Sequence, residues 1–152
     1  MHDPQKTLRD WCQLVRVGGH LFFIVPDEDL YEQGVFPSRF NSDHKSTFTI
    51  SKAQSWSPVS RNVLDLAHSL PNGQIVNVVL QDQGYDRRLL KHDLSYVNRF
   101  ATLFLRGYYS LRYRIGFTIP AFERLLANYA VVDQTTRTDV VAQIQCIVKK
   151  LA

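Results

Sequence analysis

The sequence has 152 residues, of which 45% are hydrophobic, and a formal net charge of +4 at pH 7. This length suits one globular domain with its own core. No apolar run reaches the roughly 18 residues of a membrane span, and the first residues lack the basic and apolar regions of a signal peptide. Because the positive charges are dispersed, they do not by themselves indicate a nucleic-acid-binding protein. We therefore expect a cytoplasmic protein that has no membrane partner and does not bind nucleic acid.

The first predicted elements are a helix and a strand. Asp3 and Pro4 form an N-cap and first-turn pair. The apolar residues that follow recur at helical spacing: Leu8, Trp11, Cys12 and Val15. Gly18 and Gly19 end this helix, and the continuous apolar run at residues 21–25 predicts a strand that is buried on both faces. Such a unit is typical of the second half of a βαβ crossover, whose first strand is expected upstream of the chain.

The rest of the chain alternates between predicted strands and helices. A polar, turn-rich loop at residues 26–45 precedes a short strand at 46–50 and a helix that begins at Pro58. Residues 75–80 predict a second buried strand, and the alternation of apolar and polar residues at 142–149 predicts a last strand. This order of elements indicates an α/β protein.

A long insertion, residues 81–139, separates the last two predicted strands. Within it, Asp93 is expected to cap one helix and Pro120 to precede another.

No metal site is expected. Cys12 and Cys146 fall on apolar faces without a CxxC pattern or nearby histidines, so we expect two buried thiols. Asp27 and Asp29 could bind a metal, but carboxylates at the start of a short helix also favour its positive end.

Five segments of the chain resemble a known family. Residues 16–26 (RVGGHLFFIVP) resemble the segment that leads into the fifth strand of class I S-adenosylmethionine-dependent methyltransferases. Residues 26–32 (PDEDLYE) and 40–45 (FNSDHK) look like a bacterial subgroup of these enzymes and are more specific than the Gly-Gly segment. Residues 133–135 (DQT) and 142–145 (AQIQ) look like that subgroup's approach to its last strand.

The resemblance implies a partial Rossmann-like methyltransferase sheet in a single domain, residues 1–152, with strands corresponding to five, six and seven, flanking helices, and a helical insertion at 81–139. The Gly-rich loop and the acidic residue that hold the cofactor have no counterpart here, since Gly18 and Gly19 end a helix instead of following a strand. The chain would then be the carboxy-terminal half, which contributes the acceptor side of the site and is inactive alone. S-adenosylmethionine is the cofactor of the family, and we do not expect this chain alone to bind it. His2 corresponds to a position near the methyl-transfer site, which makes it a candidate cofactor contact.

The loop at residues 26–45 is the candidate site, because ligands of open α/β sheets lie beyond the carboxyl ends of the strands. Asp43 and His44 could together supply a general base for an acceptor hydroxyl, since a carboxylate can fix the tautomer of an imidazole. The alternative is that His44 fixes the loop or is solvated. The candidate substrate-binding residues of the loop are Tyr31, Arg39, Asn41 and Lys45.

Basic and aromatic residues interleave at residues 106–114 (RGYYSLRYR). They could form an acceptor-binding surface for a glycan or a nucleotide-sugar, because guanidinium and aromatic groups stack on rings and pair with phosphates. Alternatively, Tyr108, Leu111 and Tyr113 pack partly against a core while the arginines extend outward.

The main functional hypothesis is a methyltransferase, and the alternative is a non-enzymatic interaction module derived from the same fold. A nucleic-acid-binding protein is a third hypothesis, which would require affinity that falls strongly with salt. A homodimer is expected through the strand at residues 21–25, because an apolar edge strand invites pairing with a second copy.

Overall fold

Helices and strands alternate along the chain, which the computed structural model describes at residues 3–90, 98–116, 119, 121–122, 125 and 129–152. In chain order the elements are α1 (Pro4–Leu14), β1 (His20–Pro26), a π-helical turn (Glu28–Glu32), β2 (Thr47–Thr49), β3 (Ser60–Asn62), α2 (Val63–His68), β4 (Gly73–Gln81), a 3₁₀ turn (Arg87–Leu89), α3 (Arg99–Ile115), a second 3₁₀ turn (Gln134–Thr136) and β5 (Gln143–Lys150). They form two compact units: Met1–Tyr85 with Thr135–Ala152, and Asp86–Gln134. None of the helices in the described ranges combines the length and the apolar character of a bilayer-spanning segment.

The larger unit contains a three-stranded sheet in the order β1-β5-β4. Both neighbouring pairs are antiparallel, so β1 and β4 run parallel to each other on either side of β5. A separate two-stranded sheet joins β2 and β3 in parallel. The expected α/β class is therefore confirmed as a mixed arrangement of helices, a small antiparallel sheet and a parallel pair.

The core of this unit lies on one face of the three-stranded sheet. Its members come from α1, β1, β2, α2 and β5: Leu8, Cys12, Leu21, Phe23, Phe48, Val63, Leu66, Ala67, Leu70, Ile144, Cys146 and Val148. Cys12 and Cys146 are both buried free thiols, as expected, and burial raises the pKa of Cys146 to about 11.

The prediction that residues 21–25 are buried on both faces is wrong. Side chains of β1 alternate: Leu21 and Phe23 point into the core, whereas Phe22 and Ile24 are 55% and 43% exposed. Residues of α1 and α2 pack on one face of the strand and cover it. A continuous apolar run cannot indicate which of its two faces is covered.

Four of the five long elements predicted in this unit lie where their local patterns place them, and α2 is displaced. Residues 75–80 form a strand, but none of them is fully buried, so the prediction of a buried strand there is wrong because that strand covers only one side of the core. The carboxylate of Asp3 caps α1 by accepting from the N–H of Lys6 at 3.0 Å. The predicted helix at Pro58 begins instead at Val63, because residues 60–62 pair with residues 47–49 as β3.

The smaller unit is described by itself. Its core joins Leu105 of α3 to Ala130 and Val132. The predicted cap Asp93 lies outside the described residues; α3 is capped by Asn98, whose side chain accepts from the N–H groups of Phe100 and Ala101. Most of the helix predicted after Pro120 also lies outside the described residues.

A tight turn at Gly84 yields a stability prediction. Gly84 has a φ of +68°, and a Cβ at this position would lie 2.4 Å from the carbonyl oxygen of Asp139. Gly34 has a φ of +79° but open space around the corresponding point. We expect Gly34→Ala to lower the free energy of unfolding by about 1 to 2 kcal/mol, the cost of a left-handed backbone. Gly84→Ala should lower it by a further 1 to 3 kcal/mol, roughly the cost of overpacking.

Urea denaturation of the two variants measures this difference. Equal losses for Gly84→Ala and Gly34→Ala would contradict the close approach of the Asp139 backbone.

Candidate functional site

The loop that follows β1 starts with a capped π-helical turn. The N–H of Asp27 donates to the carbonyl of Ala142 at 3.0 Å, which continues the hydrogen bonding of β1 to β5. The Asp27 carboxylate then accepts from the N–H groups of Asp29 and Leu30 at 3.1 and 3.0 Å. Burial raises the pKa of Asp27, although these N–H groups oppose the shift. Asp27 thus fixes the direction in which the chain leaves the sheet.

Tyr85 ties this loop to the segment after β4. Its hydroxyl donates to the carbonyl of Leu30 at 2.6 Å and accepts from the amide of Gln33 at 3.3 Å. Since β1 and β4 run in the same direction, both segments leave the sheet at the carboxyl ends of these strands. Open α/β sheets hold their ligands at this end.

The buried carboxylate of Glu28 organises the loop. One of its oxygens accepts from Lys52 at 2.9 Å and Ser55 at 2.8 Å, and the other from Thr47 at 3.0 Å and Ser60 at 2.5 Å. Burial alone would raise the pKa of Glu28, but the hydrogen bonds from Ser60, Lys52 and Ser55 outweigh it and lower the pKa. The carboxylate is therefore held ionised, and it joins the loop to β2 and β3.

Lys52 links Glu28 to a second carboxylate. Its ammonium lies 2.7 Å from Asp29, and the indole N–H of Trp56 donates to the same group at 3.2 Å. Burial opposes the charge on Lys52, but Asp29 and Glu28 outweigh it and raise the pKa of the ammonium. The structure therefore uses Asp27 as a cap and Asp29 as an ion-pair partner; no group of three or more potential ligands in the described ranges is placed to hold a metal.

A buried carboxylate contacts the imidazole of His44. The Oε1 atom of Glu32 lies 2.6 Å from Nδ1 of His44; the Glu32 side chain is fully buried, and the His44 side chain is 21% exposed. Because an ionised carboxylate only accepts hydrogen bonds, Nδ1 of His44 is the donor in this contact when Glu32 is ionised. Within the described part of the chain, Oε2 of Glu32 has no hydrogen-bond partner. This pair is a geometry suited to general base chemistry.

Aromatic rings surround the pair. The ring of Tyr31 lies 5.3 Å from that of His44 and 5.9 Å from that of Phe40, measured between centroids. Tyr31 is thus the one predicted substrate-binding residue that the structure brings against the imidazole.

The expectation that Asp43 serves as the carboxylate partner of His44 is corrected. The carboxylate against His44 is Glu32, and Asp43 is exposed. Asn41 explains this: its side chain accepts from the N–H of Asp43 at 3.0 Å and its carbonyl from the N–H of His44 at 3.2 Å. This turn brings His44 inward, because adjacent side chains diverge.

The other predicted site residues lie apart from the pair or outside the described chain. Arg39 and Lys45 are exposed, and the Lys45 ammonium reaches only the carbonyl of Ser42, at 3.5 Å. His2 lies outside the described residues.

The basic and aromatic stretch at residues 106–114 lies on α3. Leu111 is largely exposed, so the prediction that it packs against a core is wrong. Tyr108 packs edge-on against Phe122 with centroids 5.5 Å apart, and the side chain of Tyr113 lies outside the described part. A groove of about 500 Å³ runs along this face, lined by Phe100, Leu103, Phe104, Gly107, Tyr108, Leu111 and Phe122.

The Glu28 network predicts a pH-dependent stability. Glu28→Ala should lower the free energy of unfolding by about 3 kcal/mol at pH 7, because it leaves Lys52 and the hydroxyls without their acceptor. Asp10→Ala removes an exposed ion pair with Lys6 and should leave stability nearly unchanged.

Folding lowers the pKa of Glu28. Its contribution to stability is therefore present above the pKa of the unfolded chain, about 4.3, and is lost as the pH falls through the pKa of the folded protein. The folded pKa of Lys52 is raised, so its contribution is present below about pH 10.4 and lost as the pH rises through the folded value. Urea denaturation from acid to alkaline pH should thus show the full loss of unfolding free energy for Glu28→Ala only between these two pH limits. A loss that stays constant into strong acid would contradict an ionised Glu28.

No protein-family model matches the sequence, and neither a curated protein nor a solved structure resembles it at a significant level. A function for this chain therefore has to be inferred from its own residues and their geometry.

Proposed function

We propose that this chain is the acceptor-side half of a class I S-adenosylmethionine-dependent methyltransferase, in which His44 deprotonates the acceptor. The observation that carries the proposal is the contact between Glu32 and His44. Glu32 ends the segment at residues 26–32 and His44 lies in the segment at 40–45, so the two most specific resembling segments meet in one pair.

The proposed chemistry is general base catalysis on an acceptor hydroxyl, such as that of a glycan or a nucleotide-sugar. Nε2 of His44 accepts the proton of the hydroxyl, and the resulting imidazolium is stabilised by Glu32 through Nδ1. The ring of Tyr31 offers a flat surface beside the imidazole for the acceptor. All three groups belong to this chain.

The sheet also supports the proposal. The resemblance relates β1, β4 and β5 to strands five, six and seven, and these three strands share one sheet. The outer strands β1 and β4 run in the same direction and each follows a helix, as a Rossmann-like half would require, while β5 between them is antiparallel to both.

We infer that Gly18 and Gly19 do not form a cofactor cradle. Gly18 donates to the carbonyl of Lys150 at 2.8 Å, and Lys150 donates to the carbonyl of Gly19 at 2.9 Å. These glycines therefore hold the end of β5 and are unsuited to a phosphate-binding turn. We propose that S-adenosylmethionine is held by residues other than those described here, and that this chain alone lacks activity.

A second candidate is a non-enzymatic interaction module, favoured by the exposed face of the sheet. Phe22 and Ile24 of β1 and Val76 and Val79 of β4 are exposed there. In the described sheet, β1 is an edge strand that pairs only with β5. An apolar face beside an open edge is typical of an interface with a second copy.

The enzymatic proposal predicts that the isolated chain does not bind S-adenosylmethionine at micromolar concentrations in calorimetry. The DNA upstream of the Met1 codon should encode, in frame, a Gly-rich strand-turn-helix segment. The longer product should bind the cofactor 1:1 and transfer radiolabelled methyl groups to an acceptor in cell extract.

In that longer product, His44→Ala should lower the transfer rate by about 10² to 10⁴ with unchanged cofactor affinity. Glu32→Gln should lower it less and shift the pH profile, whereas Asp43→Asn should leave it unchanged. Micromolar binding by the isolated chain, or equal effects of Glu32→Gln and Asp43→Asn, would contradict the proposal.

The interaction proposal predicts a homodimer through β1. Light scattering of the purified chain should give twice the monomer mass, and Ile24→Lys should give a folded monomer because it places a charge on the apolar face. Val17→Lys changes an exposed apolar residue outside the strand and should leave the dimer intact. A wild-type chain that remains monomeric would rule the dimer out.

A further inference from the structure

The outer face of α3 exposes an apolar stripe. The helix is held in its own unit by Leu105, which is buried, and by Ala101, which packs beside it. The large apolar residues on the rest of the helix are 53% to 75% exposed: Phe100, Leu103, Phe104, Leu111 and Ile115. We refer to these five residues as the α3 stripe. A soluble surface tolerates single exposed apolar residues, but a contiguous row marks a contact surface.

Helical geometry places the α3 stripe on one side of the helix. Counted from Phe100, the other four lie three, four, eleven and fifteen residues further along the helix, which keeps all five within less than half of the helical circumference. Gly107 lies in the middle of the row, and a Cβ there would meet nothing within 4 Å. The groove between α3 and Phe122 is therefore open along the stripe.

Positive charges border the α3 stripe. Arg99, Arg106 and Arg114 are exposed and are separated by seven and eight residues, about two helical turns each. Arg99 and Arg106 therefore lie along one flank of the stripe, and Arg114 lies near its carboxyl-terminal end. The sequence of α3 contains no aspartate or glutamate, so nothing on the helix itself neutralises them.

We propose that the α3 stripe lies in the surface of a bilayer with anionic headgroups. An interfacial helix presents Phe and Leu to the acyl boundary and Arg to the headgroups, which is the division seen on α3. Two copies of α3 facing each other would bring six arginines together, so the charge disfavours self-association through this face. A nucleic acid would pair with the arginines but would leave the apolar row in water.

This proposal goes beyond methyl transfer and does not depend on it. It departs from the sequence-based expectation of no membrane partner, which was based on the absence of a spanning segment. The side chains that carry it all belong to the smaller unit.

Co-sedimentation of the 152-residue chain with lipid vesicles tests the proposal. The chain should bind vesicles that contain phosphatidylglycerol and leave pure phosphatidylcholine vesicles unbound, and binding should weaken as salt screens the headgroups. Arg106→Gln should weaken binding about fivefold, which corresponds to one basic residue near an anionic surface. Joint substitution Leu103→Glu and Phe104→Glu should abolish it.

A matched control is Leu14→Glu, which charges an exposed apolar residue of α1 in the other unit and should leave vesicle binding unchanged. Circular dichroism checks that each variant is folded; if the double variant unfolds, Arg106→Gln and the salt series decide the outcome. Equal binding to both vesicle types would overturn the proposal. So would the absence of vesicle binding, or retention of a protein partner by the α3 stripe in its place.

Discussion

The buried carboxylate of Glu28 is the interaction on which the candidate site depends. A carboxylate that is excluded from solvent stays ionised only when several hydrogen-bond donors surround it. Glu28 accepts hydrogen bonds from four donors between residues 47 and 60. Those donors hold the short parallel sheet against the loop after β1. The same residue opens the π-helical turn, whose closing bond runs from the N–H of Gln33 to the carbonyl of Glu28 at 3.1 Å. This turn also contains Glu32, so the position of the Glu32 carboxylate at His44 follows from the burial of Glu28.

The long elements could be predicted from sequence because their signals are local. The cap at Asp3 and the alternation in β5 both appear within a few residues of the chain. The start of α2 could not be predicted, since residues 60–62 adopt a strand only through pairing with residues 47–49. The exposure of Phe22 was missed for a related reason: whether the second face of an apolar strand is covered depends on other elements and not on its own pattern.

The loop that holds the candidate site was predictable from sequence, but the contact that His44 makes was not. Polar density beyond a strand's carboxyl end indicated the loop, and a functional role for its residues stays a prediction. Asp43 was the predicted partner, yet a turn at Asn41 separates the two side chains. Glu32 lies twelve residues away and reaches His44 only because the loop folds back on itself. A contact of this kind leaves no periodic signal in the sequence.

The two exposed apolar surfaces of the chain differ in their charge, and this difference argues for different partners. On the exposed sheet face, Gln145 lies between Ile24 and Val79 by strand register, and its amide oxygen accepts a hydrogen bond from the amide of Gln81 at 2.6 Å. Such neutral amides can be covered by an identical surface without repulsion. The α3 stripe is bordered by guanidinium groups, which cannot be buried without anions. A second copy is therefore compatible with the sheet face, whereas the partner that we propose for α3 supplies negative charge together with an apolar phase.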